Sequence, residues 1–388
     1  MPARRGFSAA VDPRDAVREL LRQIDQPDLA LVVFFASPSY DRARLAEAIG
    51  VLMPGIDVIG CTTAGEITSE GYRENTIAGV SFGRADYRAS IRLIPDLDRF
   101  RMEAGSHVVH ELLGELGLGP PTARSVPHQV FGMLLIDGLS RQEEVVVSSI
   151  SRFLDPVPLF GGSAGDGLDF GVTWIFAAGA FHTNAAVLAL IETDHPFSVF
   201  KLDHFRPTDK KMVVTEADPV RRLVTEINAE PAAPAYAKMV GLDARDLGPM
   251  TFAAYPVVVR VGGEYHVRSI QKVEEDGSLR FYCGIDEGLV LTVADGDDIA
   301  RNLDRALTRL AAELGSVDLI LGFDCILRRL EAEQKQKSLE VSQVLKRHGV
   351  VGFNTYGEQY RSMHVNQTFT GVAIGRSSRK PEERRAAP

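Results

Sequence analysis

The sequence predicts an α/β to α+β protein of two domains, in which mixed sheets are flanked by helices and a strand-helix-strand-turn pattern repeats weakly. Short apolar runs that alternate with amphipathic helical patterns indicate strand-helix-strand units. This pattern occurs three times along the 388 residues. Alternating segments between the second and third copies, broken by Gly-Gly and Asp-Gly, indicate an antiparallel meander.

The first copy follows a predicted helix from Asp12 to Ile24, where apolar residues recur at helical spacing. Residues 29–36, LALVVFFA, form a nearly continuous apolar run, which is typical of a strand buried on both faces. A helix over 41–52 and a strand over 57–60 complete the unit. Because strand crossovers are right-handed, we expect its two strands to be parallel.

The second and third copies have the same order. In the second, a strand over 130–137 and a helix over 141–154 lead to a short strand over 157–160. In the third, a strand over 318–324 and a helix over 328–348 lead to Val350 and Val351. Each copy therefore predicts a parallel strand pair with a covering helix.

The segments between and after the copies are less regular. Two short helices are predicted over 218–227 and 231–240, and the meander spans 255–294. A last strand over 367–375 is predicted to lie at a sheet edge. The predicted organisation is a lead-in over 1–27, a first domain over 28–240, a second domain over 241–376 and a disordered tail over 377–388.

A recurring turn is the main functional signal. Residues 60–66 and 352–358 are both G-x-x-T-x-G-E after a short apolar strand, and 162–166 is a looser version. Backbone amides in such a turn can hold an anion, while the acid suits an ammonium group, so the turns predict a zwitterionic ligand such as an amino acid. The alternative is that these side chains only bond to the local backbone. The candidate ligand-binding side chains in the turns are Thr62, Thr63, Glu66, Ser163, Asp166, Asn354, Thr355 and Glu358.

Further residues suggest other kinds of site. Arg141 and Arg328 follow buried strands and suit a carboxylate or phosphate ligand, with surface ion pairs as the alternative. Cys61 or Thr62 would serve a hydrolase or transferase, although small buried cysteines are the simpler interpretation. No G-x-S-x-G elbow, P-loop or zinc-ligand spacing is found in the sequence.

Composition excludes several classes of protein. A net charge of −9 without an internal Lys/Arg cluster argues against nucleic-acid binding. No apolar run approaches the ~18 residues that a membrane helix needs. Three cysteines without metal-ligand spacing fit reduced thiols, so we expect a cytoplasmic protein. A homodimer is plausible, but no sequence feature demands it.

The turns resemble those of the FIST sensory proteins, which have an N-terminal FIST domain followed by a FIST C domain. The similarity rests on GCTTAGEI at 60–67, GGSAGD at 161–166 and GFNTYGEQ at 352–359, and it covers roughly residues 28–376. The segments DCILRRLE at 324–331 and TYGEQYRSMHVNQTFTGVAIG at 355–375 resemble a subgroup of stand-alone proteins that bind haem and sense nitric oxide. The resemblance implies a small-ligand or gas sensor whose partner is a histidine kinase or a cyclic-di-GMP enzyme.

A haem group would need an axial ligand from this chain. The sequence has no C-x-x-C-H, so the resemblance implies haem b, held without covalent attachment. His204 is the first candidate, because the basic residues that follow it suit the propionates. His364, close to the third turn, is the second candidate, and His182 is the third. For each of them the alternative is a structural or surface histidine.

Overall fold

A computed structural model of the protein describes residues 3–119, 129–261 and 263–376, and the predicted tail over 377–388 lies outside these ranges. The strands up to residue 202 are β1 Arg4–Ser8, β2 Leu29–Ala36, β3 Val58–Thr62, β4 Glu66–Thr68, β5 Gly71–Arg73, β6 Ile77–Gly83, β7 Tyr87–Ile94, β8 Val130–Ile136, β9 Leu159–Ser163, β10 Ile175–Ala177, β11 Ala180–His182, β12 Ala186–Thr193 and β13 Phe197–Leu202. The strands that follow are β14 Phe205–Asp218, β15 Leu223–Ile227, β16 Glu230–Pro231, β17 Val257–Val261, β18 Glu264–Arg268, β19 Ile270–Val273, β20 Leu279–Phe281, β21 Val290–Gly296, β22 Val317–Cys325, β23 Val350–Thr355, β24 Glu358–Tyr360, β25 Met363–Val365 and β26 Phe369–Gly375.

The α-helices of the described ranges connect and cover these strands. Asp12 and Asp41 cap the first two helices by accepting hydrogen bonds from backbone N–H groups of the first turn. The helices are α1 Pro13–Ile24, α2 Arg42–Leu52, α3 Ala104–Glu115, α4 Glu143–Leu154, α5 Ala232–Val240, α6 Pro249–Ala254, α7 Ile299–Leu314, α8 Ile326–Gln334 and α9 Ser338–His348.

Three six-stranded sheets share one plan. Each is built on a parallel pair, β2–β3 in the first sheet, β8–β9 in the second and β22–β23 in the third. An antiparallel strand lies beside the first member of each pair: β6, β12 and β26 respectively. The predicted α/β class, the mixed sheets and the three parallel pairs are therefore confirmed.

Each of these sheets is completed by a hairpin from a different repeat. The hairpin β10–β11, which follows the second turn, pairs with β3 in the first sheet. The hairpin β24–β25 pairs with β9 in the second sheet, and β4–β5 pairs with β23 in the third. The three repeats thus interlock in a closed cycle and do not stand side by side.

The inner faces of the three sheets meet in one apolar core. The rings of Phe35 and Phe353 stack with their centroids 4.7 Å apart, and those of Phe160 and Phe323 lie 5.3 Å apart. The outer faces are covered by α1 and α2 on the first sheet, α3 and α4 on the second, and α7 and α9 on the third. Strands buried on both faces explain why the predicted runs, such as LALVVFFA, lack polar alternation.

A fourth, antiparallel sheet spans residues 205–296, in the order β18-β17-β21-β14-β15-β20-β19, with β16 beside β15. The predicted antiparallel strands are present, but the meander is wrong: β17 pairs with β18 and β19 with β20, while β14 and β15 lie between β21 and β20. Helices α5 and α6 pack on this sheet. The predicted domain boundary at residue 240 falls between strands of this one sheet.

Three helix and strand predictions are wrong. The single helix predicted over 328–348 is two helices, α8 and α9, because Gln336 between them has φ of 55°, which a right-handed helix does not allow. The predicted helix over 218–227 contains β15, because β14 and β20 flank that segment and supply its hydrogen bonds. The predicted edge strand near 367–375 is internal, since β26 pairs with β13 on one side and with β22 on the other. No helix in the described ranges is both long enough and apolar enough to span a membrane.

Candidate functional site

The three recurring turns meet at one end of the central core and bond to one another through their backbones. The Ala64 amide donates to the Asn354 carbonyl at 2.9 Å, and the Asn354 amide donates to Gly65 at 2.7 Å. The Gly165 amide donates to Thr62 at 3.0 Å, and the Ser163 amide donates to Gly357 at 2.8 Å. These amides are therefore occupied within the protein and do not form the anion-binding nest that the sequence suggests.

Two of the turns hold a buried carboxyl group in the same way. Glu66 accepts from the Thr63 hydroxyl, and from the amide and hydroxyl of Thr76 at 3.1 and 2.6 Å. Glu358 accepts from Thr355, and from the amide and hydroxyl of Thr368 at 3.2 and 2.6 Å. Burial raises the pKa of Glu66 to about 7 and the pKa of Glu358 to about 8.

The second turn differs, as its looser sequence suggests. The Asp166 carboxylate accepts from the amides of Phe170, Gly171 and Val172 at 3.0, 2.7 and 2.8 Å. It also accepts from the Tyr356 hydroxyl, which belongs to the third turn. Asp166 thus shapes the loop over 167–171 and fixes it to the junction of the turns.

An acidic cleft of about 490 Å³ opens beside this junction. Glu66 lies at its buried side, and its charged lining comprises five carboxyl groups against a single guanidinium. We call this cavity the acidic cleft; the residues that define it are Ser37, Ser39, Thr63, Glu66, Glu74, Asp166, Asp169, Arg329 and Glu333.

Arg329 is the cation of the acidic cleft, and α8 positions it. Its guanidinium donates to Glu74 at 2.6 Å, to Glu333 one helical turn later at 3.1 Å, and to Asn354 at 3.4 Å. Gly65, with φ of 130°, leaves the space that the guanidinium occupies. The arrangement gives the cleft one fixed cation among carboxylates, which suits a ligand that carries an amine or guanidine.

The opposite face of α8 carries a buried polar network. Arg328 donates to Asp324 and to His204 Nδ1, each at 2.7 Å, and His204 Nε2 lies 2.8 Å from Glu331. Because a guanidinium can only donate, His204 Nδ1 accepts and Nε2 carries the proton given to Glu331. Burial lowers the pKa of His204, which agrees with a neutral ring. Lys335 completes the network at 2.7 Å from Glu331.

The structure separates the predicted ligand-binding residues into two groups. Thr63, Glu66 and Asp166 line the acidic cleft, and Asn354 reaches it through Arg329. The others are buried and bonded elsewhere: Thr62 to the Trp174 amide, Ser163 to Gln359, Thr355 and Glu358 to each other, and Arg328 to Asp324. Most of these partners are side chains, and the Trp174 amide belongs to a distant segment, so the predicted alternative of bonding to the local backbone does not describe this second group.

Sequence reasoning missed several residues of the cleft. Arg329 lies beside Arg328, which was the predicted ligand, and only the helical phase of α8 decides which of the two faces the cavity. Its spacing of four residues from Glu333 was the available signal, since residues so spaced lie on one helix face. Glu74 and Asp169 come from loops and carried no signal.

Neither predicted axial histidine fits a haem group well in this structure. Both ring nitrogens of His204 are engaged by charged partners, and its side chain is fully buried. His364 Nε2 has no hydrogen-bond partner in the described ranges, but the ring is packed against Gln359, Asn366 and Gly357. His182 contacts the carbonyl of Ala177 at 3.1 Å. Among the described residues no group of three or more His, Cys, Asp or Glu side chains could hold a metal ion.

Comparison with known proteins assigns the class of this fold. The FIST N domain matches residues 30–230, more than half of the chain, and the FIST C domain matches residues 232–361. The protein therefore belongs to the FIST family, whose domains are sensory.

Other comparisons add little. No curated protein sequence matches the chain. Among solved structures, cyanuric acid hydrolase from A. caulinodans is similar with a TM-score of 0.36 and 9% identity, over 97% of this chain and 100% of that chain. A similarity this low supports no inference about function.

Proposed function

We propose that the protein is a sensor that binds a small amine-bearing molecule, such as a basic amino acid, in the acidic cleft and reports its binding to a signalling partner. The observation that carries this proposal is the charge of the cleft. Five carboxyl groups surround a single guanidinium that is already paired, so the unmet demand in the cavity is for a cation.

The position of the cleft supports a sensory role. Its wall combines the first turn, the loop held by Asp166, and α8. Glu331 of the same helix contacts His204, which lies just before the first strand of the fourth sheet. The Asp297 amide, just after the last strand of that sheet, donates a hydrogen bond to the His204 carbonyl at 2.8 Å. A ligand that moves α8 would therefore act on both connections to the fourth sheet.

Thermal shift measurements with L-arginine, L-lysine, L-alanine and L-glutamate test this proposal. A ligand that binds only the folded state raises the melting temperature by mass action. We expect the two basic amino acids to raise it and L-glutamate to have no effect. If no amine-bearing probe has an effect at millimolar concentration, the proposed ligand class is wrong.

A pair of variants assigns the binding to the cleft. Glu333→Gln removes one carboxylate of the acidic cleft, and we expect it to weaken the shift with L-arginine by about tenfold in apparent affinity. Glu313→Gln makes the same change on an exposed face of α7, where the carboxylate has only a neighbouring Arg309 at 3.7 Å. It should leave the shift unchanged.

Haem-based sensing of nitric oxide is the second candidate function, and family resemblance to the haem-binding subgroup supports it. The axial ligand it would use is His364, whose buried Nε2 has no described partner, and the ring would have to leave its packing against Gln359 and Gly357 to reach the iron. An absorption spectrum of protein expressed with haem, recorded oxidised, reduced and reduced with nitric oxide, tests it. His364→Ala should then abolish the Soret band, whereas His204→Ala should leave the band in place if His204 is only structural.

The partner is proposed from family membership. We expect a histidine kinase or a cyclic-di-GMP enzyme whose activity changes when the sensor is liganded. Adding the protein with and without L-arginine to a purified kinase of this class, and measuring autophosphorylation, tests the coupling. Light scattering during gel filtration tests whether the protein forms a homodimer, which no sequence feature demands.

A further inference from the structure

A second cleft of about 490 Å³ lies on the other side of the loop over 167–171. Arg141, Phe170 and Tyr282 line it, together with Lys272 and Arg280 from the fourth sheet. We call it the arginine cleft. Asp169 borders both cavities, so the two clefts are neighbours separated by one loop.

Arg141 is an exposed arginine in the lining of this cleft. In the described ranges its guanidinium forms no hydrogen bond and no ion pair, although it lines a cavity. Arg222, deeper in the same wall, is by contrast fully occupied: it donates to Glu143 at 2.8 Å, to Glu144 and to the Tyr282 carbonyl. The chain thus leaves one planar, bidentate donor available in the arginine cleft, of the kind that binds carboxylates and phosphates.

Two further cations stand opposite a single acid. Lys272 lies 3.2 Å from Glu274, and Arg280 donates to the same carboxylate. One carboxylate cannot neutralise both groups, so this side of the arginine cleft also favours an anion. The fourth sheet therefore contributes positive charge to the arginine cleft. The acidic cleft has no such contribution among its described residues.

The aromatic wall carries a hydroxyl group that forms no hydrogen bond with any described residue. Tyr282 is only 7% exposed, and its hydroxyl makes no hydrogen bond in the described part of the chain. The neighbouring Tyr356 hydroxyl, in comparison, is bonded to Asp166 and to the Gly167 carbonyl at 3.1 Å. The Tyr282 hydroxyl is not fully buried, so solvent or a bound ligand can form hydrogen bonds with it.

Phe170 gives the cavity a flat apolar surface. Its ring is half-buried and lies between Tyr356, at a centroid distance of 4.8 Å, and Tyr282, at 5.9 Å. Aromatic side chains in this setting bind planar groups by stacking. A ring that carries an oxyanion would meet both Phe170 and Arg141.

We propose that the arginine cleft is a second ligand site, which binds a planar molecule carrying a carboxylate or a phosphate. Arg141 binds the oxyanion of the ligand, Phe170 stacks on its ring, and the Tyr282 hydroxyl forms a hydrogen bond with it. The site is independent of the amine-binding acidic cleft, and its ligand has the opposite charge.

Calorimetric titration of the full chain with benzoate, phenyl phosphate and the uncharged isostere benzamide tests the proposal. We expect benzoate or phenyl phosphate to bind and benzamide not to bind. Binding of benzoate alone assigns a carboxylate ligand, and binding of phenyl phosphate alone assigns a phosphate ligand. If neither anion binds at millimolar concentration, the proposal is overturned.

Variants locate the binding. Arg141→Ala removes no hydrogen bond or ion pair among the described residues, so its fold should be intact, and we expect at least tenfold weaker binding of the anion. Arg305→Ala on α7 is the matched control, because this exposed arginine also has no partner in the described ranges. Equal binding by Arg141→Ala and the unaltered protein would refute the assignment.

To distinguish the two clefts, the variant of each cleft is tested with the ligands of the other cleft. Glu333→Gln should leave the binding of benzoate and phenyl phosphate unchanged, and Arg141→Ala should leave the response to L-arginine unchanged. Tyr282→Phe deletes only a hydroxyl that bonds to no described residue, so it should weaken anion binding several-fold while the thermal stability stays the same. A loss of anion binding in Glu333→Gln would contradict two independent sites.

Discussion

Arg329 Nη1 lies 2.0 Å from the position that a β-carbon on residue 65 would occupy. The guanidinium can therefore reach Asn354 and the acidic cleft only because residue 65 is glycine. The same glycine has φ of 130°, a conformation that other residues adopt with strain. The first turn and α8 thus depend on each other at this point, although Gly65 and Arg329 are 264 residues apart in sequence.

Gly65→Ala is expected to displace Arg329 and to abolish the response to L-arginine. The backbone strain should lower the free energy of unfolding by roughly 1–3 kcal/mol, which leaves the protein folded. Thermal shift and urea unfolding measure the two effects. Gly55→Ala is the control, since Gly55 has φ of 72° but faces open space, and it should lose stability without losing the response.

Stability should fall as the pH rises from 5 to 8. Burial raises the pKa of Glu66 to about 7 and that of Glu358 to about 8, from an ordinary value of 4.5, so the folded state prefers the protonated groups. Their contribution is complete below pH 4.5 and is lost as the pH rises through the folded-state values. For Glu66 the loss is on the order of 3 kcal/mol.

Urea unfolding at several pH values checks this expectation. The difference between the unaltered protein and Glu66→Gln isolates one carboxyl group from the other titrating residues. We expect that difference to change steadily between pH 5 and pH 8 and to be flat below pH 4. A pH-independent difference would show that Glu66 titrates normally and that its burial is incomplete.

His204→Ala should be strongly destabilising. It leaves Arg328 and Glu331 without the ring that bridges them in a fully buried setting, and the loss of one member of such a network costs about 3–5 kcal/mol. Denaturant unfolding measures the cost. His107, whose side chain is 77% exposed, provides the control, and His107→Ala should be neutral. A mild effect of His204→Ala would mean that water replaces the ring.

The three cysteines should be unreactive in the folded protein. Cys61, Cys283 and Cys325 are buried, and burial raises the pKa of each thiol. We expect no reaction with Ellman's reagent under native conditions and three equivalents in urea. Rapid modification of Cys61 in the folded state would support the alternative that the protein is a hydrolase or transferase.

The sequence predicts the repeats well, because strands buried on both faces and capped helices leave strong local patterns. LALVVFFA, its helix and its parallel partner lie where expected. It does not predict β15, since that segment becomes a strand only through pairing with β14 and β20. Local preference was overridden there by a long-range partner.

The site was predicted in part for a similar reason. The Gly, Thr and Glu residues of the motif identify the turns in the sequence. The chemistry of each turn, however, depends on which side chains of the other repeats contact it in the fold. Glu66 lines a cavity whereas Glu358, in the same motif, is enclosed. The shared G-x-x-T-x-G-E motif does not distinguish them, because the difference comes from the neighbouring elements.

The exchange of hairpins has a consequence for how the protein is made. Ile67 in β4 pairs with Gly352 in β23, so the third sheet joins the two ends of the chain. Strand β9 likewise has one edge that pairs only with β24, from the last repeat. During synthesis, then, β4 and β9 leave the ribosome with exposed hydrogen-bonding edges that stay unpaired until the last repeat emerges. The boundary near residue 231 divides two sequence domains, but assembly of the three-sheet core is one late, cooperative event.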